Sequence, residues 1–220
     1  MKYTHVLFDL DGTLTDSSPG IINSIHYALS KMGLEERDEE KLRSFVGPGL
    51  KYTFRRNYFY KDTEVEEAVK HYRTYFSTKG IFENELYDGV ETLLKHLKQE
   101  GVILALATAK PTYFANIILN HFGIRDYFEV VVGSHLNGKR TDKKTIIEEV
   151  LDQLGLPDKK KCLMVGDREY DIIGAQQHGI KSVGAMYGYG NQKELADAGV
   201  DQLIDSPLDL LGVFSPIVIK

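Results

Sequence analysis

The chain contains a single cysteine, Cys162, so no intramolecular disulfide can form. Cys162 lies in an apolar run and reads as a core residue, which suits a reducing compartment. Long apolar runs are missing as well. No stretch approaches the roughly 18–20 apolar residues that a membrane span requires. Lys2, Asp9 and Asp11 put charge into the short apolar segment at the start, which therefore does not read as a secretory signal. A cytoplasmic protein without a membrane partner is the expectation. Positive charge is not in excess: 27 Lys and Arg stand against 32 Asp and Glu, a net charge of −5. That argues against a nucleic-acid polymer as partner, because phosphate-backbone binding needs a clustered basic field. Repeats and low-complexity tracts are absent. The hydrophobic fraction of 42% and charged fraction of 27% exclude disordered and collagen-like classes. The 220 residues suit one large domain, or one domain carrying a smaller one.

What is present has two rhythms. The run Tyr3–Leu10 is continuously apolar around Val6, Leu7 and Phe8, as in a strand buried on both faces. It ends in the polar turn Asp9-Leu10-Asp11-Gly12-Thr13. From Ser17 to about Gly80 the pattern is helical throughout. Ser18 followed by Pro19 reads as N-cap and first helical position. Ile21, Ile25, Ala28 and Leu29 then recur at helical spacing as far as Gly33. Further helices are expected over Glu39–Val46, around Leu50, Phe54 and Tyr58, and from Val65 to Phe76. The tyrosines of this segment read as core. The turn Gly47-Pro48-Gly49 separates two of its helices.

After about Asp88 strands and helices alternate. Strands are expected at Val102–Ala107, Phe128–Val132, Cys162–Val165 and Ile180–Gly184, with an edge strand at Gln202–Ile204. Helices between them close at Gly101, Gly123, Gly155 and Gly179. Such alternation implies βαβ units and a parallel sheet. The fold class is therefore α/β, a Rossmann-like parallel sheet of residues 1–15 and 82–220, interrupted by a helical insert over 16–81.

In open parallel sheets, ligands bind beyond the carboxyl ends of the strands. Four polar clusters fall there or at the next helix start: Asp9, Asp11 and Thr13; Thr108-Ala109-Lys110; Lys143-Lys144; and Gly166-Asp167 with Asp171. Asp9 and Asp11 are two apart, so on an extended strand both face the same side. Adjacent carboxylates repel and call for a cation. With Asp167 they make three hard oxygen donors lacking Cys or His partners, which suits Mg²⁺ rather than Zn²⁺. A hydroxyl from Thr108 and an ammonium from Lys143 or Lys144 suit a phosphate group. Together these groups describe phosphoryl transfer with a carboxylate nucleophile.

The segments DLDGTLTDS, the Thr108 strand end, the Lys143 helix start and GDREYD resemble, in order, the four motifs of the haloacid dehalogenase superfamily. The insert resembles the cap of its phosphoglycolate-phosphatase-like members, as does the segment from Gly184 through Gly190 to Glu194-Leu195. The resemblance implies a Mg²⁺-dependent hydrolase of a small phosphomonoester such as phosphoglycolate, a sugar phosphate or a nucleoside monophosphate. It implies that Asp9 is the nucleophile, and that Asp11 is the general acid and base whose backbone carbonyl also binds Mg²⁺. It implies that Thr108 and the backbone N–H at Ala109 bind the phosphoryl oxygens, and that Lys143 neutralises nucleophile and phosphate. Asp167 is then a metal ligand, and Asp171 a ligand through water or a partner of the lysine. An acid at Asp11 argues against halide release, whose leaving group needs no proton.

Two departures stand out. Ala109 occupies a position where many relatives have Asn, and the lysine segment Lys143-Lys144-Thr145 lacks the usual prolines. Spacing to the Ile146–Leu154 stripe favours Lys143, with Lys144 as the alternative. A phosphomutase of the β-phosphoglucomutase type uses the same aspartyl-phosphate. A receiver-type signalling domain is the non-enzyme alternative, but it has no helical insert. Oligomeric state is not encoded in any of these features.

Overall fold

The computed structural model describes residues 3–47, 49–137, 140–155 and 158–214. Among them the chain forms two compact units, divided between Thr15 and Asp16 and again between Glu85 and Leu86.

The first unit begins with β1 (His5–Phe8). The chain leaves it through β2 (Thr15–Asp16). The second unit then contributes α1 (Ser18–Lys31), α2 (Glu39–Arg43), α3 (Leu50–Asn57) and α4 (Asp62–Phe76). The return runs through β3 (Glu85–Leu86), which pairs with β2 in a two-stranded sheet. There follow α5 (Val90–Gln99), β4 (Ile103–Pro111), α6 (Thr112–His121), β5 (Phe128–Ser134), α7 (Lys143–Leu154), β6 (Cys162–Gly166) and α8 (Glu169–Gln177). The chain continues with β7 (Lys181–Ala185), α9 (Gln192–Asp197), β8 (Gln202–Ile204) and α10 (Leu210–Phe214).

The main sheet has six parallel strands in the order β5-β4-β1-β6-β7-β8. β1 is central, with Leu7 level with Ala105 of β4 and Met164 of β6. Alternate residues share a face. Leu7, Ala105, Ala107, Val130, Val132 and Met164 accordingly form one buried cluster with Ile146, Ile147, Val150 and Leu151 of α7 and Ala175 of α8. That face decides which helices can reach the end of β1. Cys162 is fully buried in the same cluster.

Several local expectations need correction. The N-cap of α1 is Ser17, one residue earlier than expected, because Asp16 Oδ1 takes both the N–H (3.0 Å) and the hydroxyl (2.6 Å) of Ser18. Tyr52 and Tyr60, read as core, are exposed, whereas Tyr72 is buried. β4 extends past Ala107 to Pro111 through a register irregularity. α9 was not expected at all. Pro48 of the Gly47–Gly49 turn lies outside the described residues. No described helix is long and apolar enough to cross a membrane.

Candidate active site

β1 stops at Phe8, and Asp9 continues its line with an N–H bonded to the Val165 carbonyl at 2.9 Å. Asp9 shares the parity of Leu7, so its side chain leaves toward the face covered by α7 and α8. Those two helices each present a charged residue there in their first turn. Asp142 caps α7, its carboxylate accepting from the Thr145 N–H, which makes Lys143 the first helical residue. Lys143 is buried, and its ammonium lies 3.0 Å from Asp9 Oδ1 and 2.7 Å from Asp171 Oδ1. It also donates to the Ala107 carbonyl at 2.8 Å. Lys144 is exposed. Asp171 serves two ends: its Oδ2 accepts the Arg168 N–H at the start of α8, and its Oδ1 faces Lys143. A side chain at Gly166 would collide with Asp171 at 2.2 Å, so glycine there permits the close approach.

Asp167 is completely buried. Its Oδ1 accepts from the Thr13 hydroxyl (3.3 Å) and its Oδ2 from the Tyr189 N–H (2.8 Å). Gly12, at a φ of +82°, passes so close that a Cβ would lie 2.2 Å from Asp167 Oδ2. Asp9, Asp167 and Asp171 thus form a carboxylate group in which one oxygen from each lies within 4.8 Å of the others. Asp11 is not part of it. The chain turns after β1 instead of continuing as a strand, and Asp11 Oδ2 meets a different lysine, Lys110, at 3.1 Å. The expectation that Asp9 and Asp11 share one extended strand is corrected accordingly. Thr108 is buried in β4 and its hydroxyl oxygen accepts the Lys110 N–H at 3.2 Å; Ala109 beside it is half-buried.

The charges shift one another's proton affinity. Burial, followed by the charges of Asp171 and Asp9, raises the Asp167 carboxyl well above the usual carboxylate range. Burial also raises Asp171, with Lys143 pulling the other way. Burial works to deprotonate Lys143, but attraction to Asp171 and Asp9 outweighs it and keeps the ammonium above its ordinary value. Asp9 Oδ1 and Asp171 Oδ1 are buried and accept no well-directed hydrogen bond. Crowded carboxylates with such oxygens fit a hard divalent cation. The charge count agrees: Asp9, Asp11, Asp167 and Asp171 against Lys110 and Lys143 leave two negative charges.

Thr13 and Lys110 stood in the strand-end clusters of the sequence without being given a role, and Tyr189 stood outside those clusters. The cue for Lys110 was its place two residues after Thr108, next to the half-buried Ala109.

An anionic nucleophile can approach an anionic ester only where cations gather beside it, and this arrangement supplies them. The class defined is a phosphoric monoester hydrolase. The chain belongs to the haloacid dehalogenase-like hydrolase family, whose model matches residues 6–185. It is 42% identical to a 5'-nucleotidase of Pseudomonas aeruginosa over 89% of this chain and 88% of that one. It is 32% identical to a phosphoglycolate phosphatase of Xanthomonas campestris over 93% of each. Among solved structures, that of Mycobacterium tuberculosis protein tyrosine kinase A matches with a TM-score of 0.82 and 37% identity, over 96% of this chain and 98% of the other.

Proposed function

We propose that the chain is a Mg²⁺-dependent phosphatase that hydrolyses a small phosphomonoester through an aspartyl-phosphate on Asp9. The observation that carries this is the buried group Asp9, Asp167 and Asp171 with Lys143 bridging two of its members. In the first step an Asp9 oxygen bonds to phosphorus while the ester P–O bond breaks, and Asp11 gives the departing alkoxide a proton. In the second step Asp11 takes a proton from water, the water oxygen bonds to phosphorus, and the Asp9–phosphoryl bond breaks. Lys143 offsets repulsion between nucleophile and phosphate. Thr108 accepts the Lys110 N–H, which leaves its hydroxyl proton to donate to a phosphoryl oxygen alongside the Ala109 N–H.

Asp9, Asp167 and Asp171, with the Asp11 carbonyl, would hold Mg²⁺. When bound, it supplies positive charge that offsets the phosphate's own. The helical unit serves as a cap that admits substrate and then excludes water. A nucleoside 5'-monophosphate is the first substrate to try, on the strength of the 42% identical nucleotidase, ahead of phosphoglycolate and sugar phosphates. The reduced, buried Cys162 supports a cytoplasmic setting.

The test is a phosphate-release screen over phosphorylated metabolites, with Mg²⁺ and with excess chelator. Release that needs Mg²⁺ is expected. Unchanged turnover in chelator would reject the metal assignment. The likeness to a tyrosine kinase favours one second reading, transfer of the phosphoryl group to a hydroxyl other than water's. A phosphorylated acceptor or a sugar-phosphate isomer, formed in place of free phosphate, would establish it.

A further inference from the structure

Lys110 belongs to none of the roles above, yet it is only 9% exposed and directed at the reacting groups. Burying an ammonium costs several kcal/mol unless a partner repays it. The carboxyl of Asp11 is such a partner, at 3.1 Å. The two lysines of the site therefore meet different acids. Lys143 stands on Asp9 and Asp171, and Lys110 stands on Asp11.

We propose that Lys110 is a positioning residue for Asp11: by holding Oδ2 it sets the plane of the carboxyl that exchanges the proton with the leaving group. The inference rests on the phosphatase reading. Three features support it. Asp11 lies on the turn after β1, outside the ladder that fixes the backbone of Phe8. Its side chain has two rotatable torsions, and an ion pair to one oxygen removes most of that freedom. Lys110 is in turn held by its own backbone, whose N–H is tied to the Thr108 hydroxyl oxygen, so the phosphate-binding threonine and the proton donor share one support. Proton transfer needs heavy atoms within hydrogen-bond reach, and a carboxyl displaced by about 1 Å loses much of its effect.

A positioning role and a merely electrostatic or structural one differ in their dependence on the leaving group. An alkoxide must be protonated as it departs, whereas dinitrophenolate leaves without a proton. The experiment measures kcat/KM of the wild type, Lys110→Met, Lys110→Arg, Asp11→Asn and the double variant Asp11→Asn/Lys110→Met. The two substrates are the alkyl phosphomonoester ranked first in the screen, with AMP as starting probe, and 2,4-dinitrophenyl phosphate.

For Lys110→Met the expected loss is about 100-fold on the alkyl ester, the usual scale of general acid catalysis, and under about 5-fold on the aryl ester. Lys110→Arg should recover part of the alkyl-ester loss. In the Asp11→Asn background, adding Lys110→Met should cost little more. Equal losses on both esters would overturn the inference, as would an undiminished rate on the alkyl ester or fully additive losses in the double variant. Should Lys110→Met fail to fold, Lys110→Gln carries the same comparison. A wild type that releases no phosphate from either ester would instead sink the phosphatase reading itself.

Discussion

The helical unit keeps its charged residues out of the core, whereas the α/β unit, beside its own surface ion pairs, takes two lysines and three aspartates inside. Lys51–Glu66 and Arg55–Asp62 have every side chain about half exposed or more. Among the described residues of 16–85 the buried polar ones are Ser17, Ser24, Thr53 and Asn84, none of them charged. The α/β unit buries Asp9, Lys110, Lys143, Asp167 and Asp171. A buried charge is costly even when paired, and a well-packed apolar replacement often costs nothing. Stability alone therefore does not account for the second pattern. The proposed reaction would account for it: one anion attacks another, with the neutralising groups fixed beforehand and shielded from water. The helical unit holds none of the proposed reacting groups and so meets no such demand.

The contrast breaks most severely at Asp9. Asp9→Asn is nearly isosteric and keeps the packing, but its amide is a far weaker nucleophile. Turnover should fall by at least about 10⁴-fold while the circular-dichroism spectrum is unchanged. Near-normal phosphate release from the variant would remove Asp9 from its role.

Lys143 comes next, with an effect on stability as well as rate. Replacing it by Met leaves Asp9 and Asp171 as neighbouring buried carboxylates with no ammonium between them. Breaking a buried pair in this way costs about 3–5 kcal/mol, read as a lowered urea midpoint. Lys144→Met, on the exposed side of the same helix turn, is the control and should leave the midpoint almost unmoved.

That control marks where sequence reasoning ran out. Both lysines begin the same helix; the spacing of the apolar stripe favoured Lys143, the one that is buried, without excluding Lys144. The deciding residue was Asp142: read as an N-cap, it makes Lys143 the first helical position and turns it toward β1. The parallel sheet was far easier to see, because β1, β4 and β6 are buried on both faces and show as unbroken apolar runs. α9 escaped notice because six residues with only Leu195 buried do not complete an amphipathic period. The pairing of Lys110 with Asp11 joins residues 99 apart in the chain and depends on the β1–β4 register, which no local pattern encodes. The contacts of Thr13 and Tyr189 with Asp167 were hidden for the same reason: they join three separate loops.

A smaller effect, opposite in sign, is expected at Asp167. In metal-free protein its carboxylate is crowded by Asp9 and Asp171, and burial already raises its proton affinity. Asn at this position can accept from the Tyr189 N–H and keep a hydrogen bond to the Thr13 oxygen with the direction reversed, while one charge goes. Asp167→Asn should therefore gain about 1–2 kcal/mol without metal, a rise of roughly 2–8 °C in melting temperature for a chain of this size. It should also lose Mg²⁺-dependent activity. A variant that melts lower than wild type in chelator would show that the carboxylates do not strain the empty fold.

The least effect is expected where the comparison began, on the surface of the helical unit. Arg55 and Asp62 are 54% and 77% exposed, and Lys51 and Glu66 are 49% and 58% exposed. Water and salt screen both pairs, and holding two long side chains together costs entropy that offsets the remaining attraction. Arg55→Ala and Lys51→Ala should each change the unfolding free energy by less than about 0.5 kcal/mol, and the two together by no more than their sum. The measurement is a urea titration at low and at high salt, where any contribution should shrink as salt rises. A loss above about 2 kcal/mol for either variant would mean that the helical unit, too, depends on fixed charge, and the division between the two units would no longer hold.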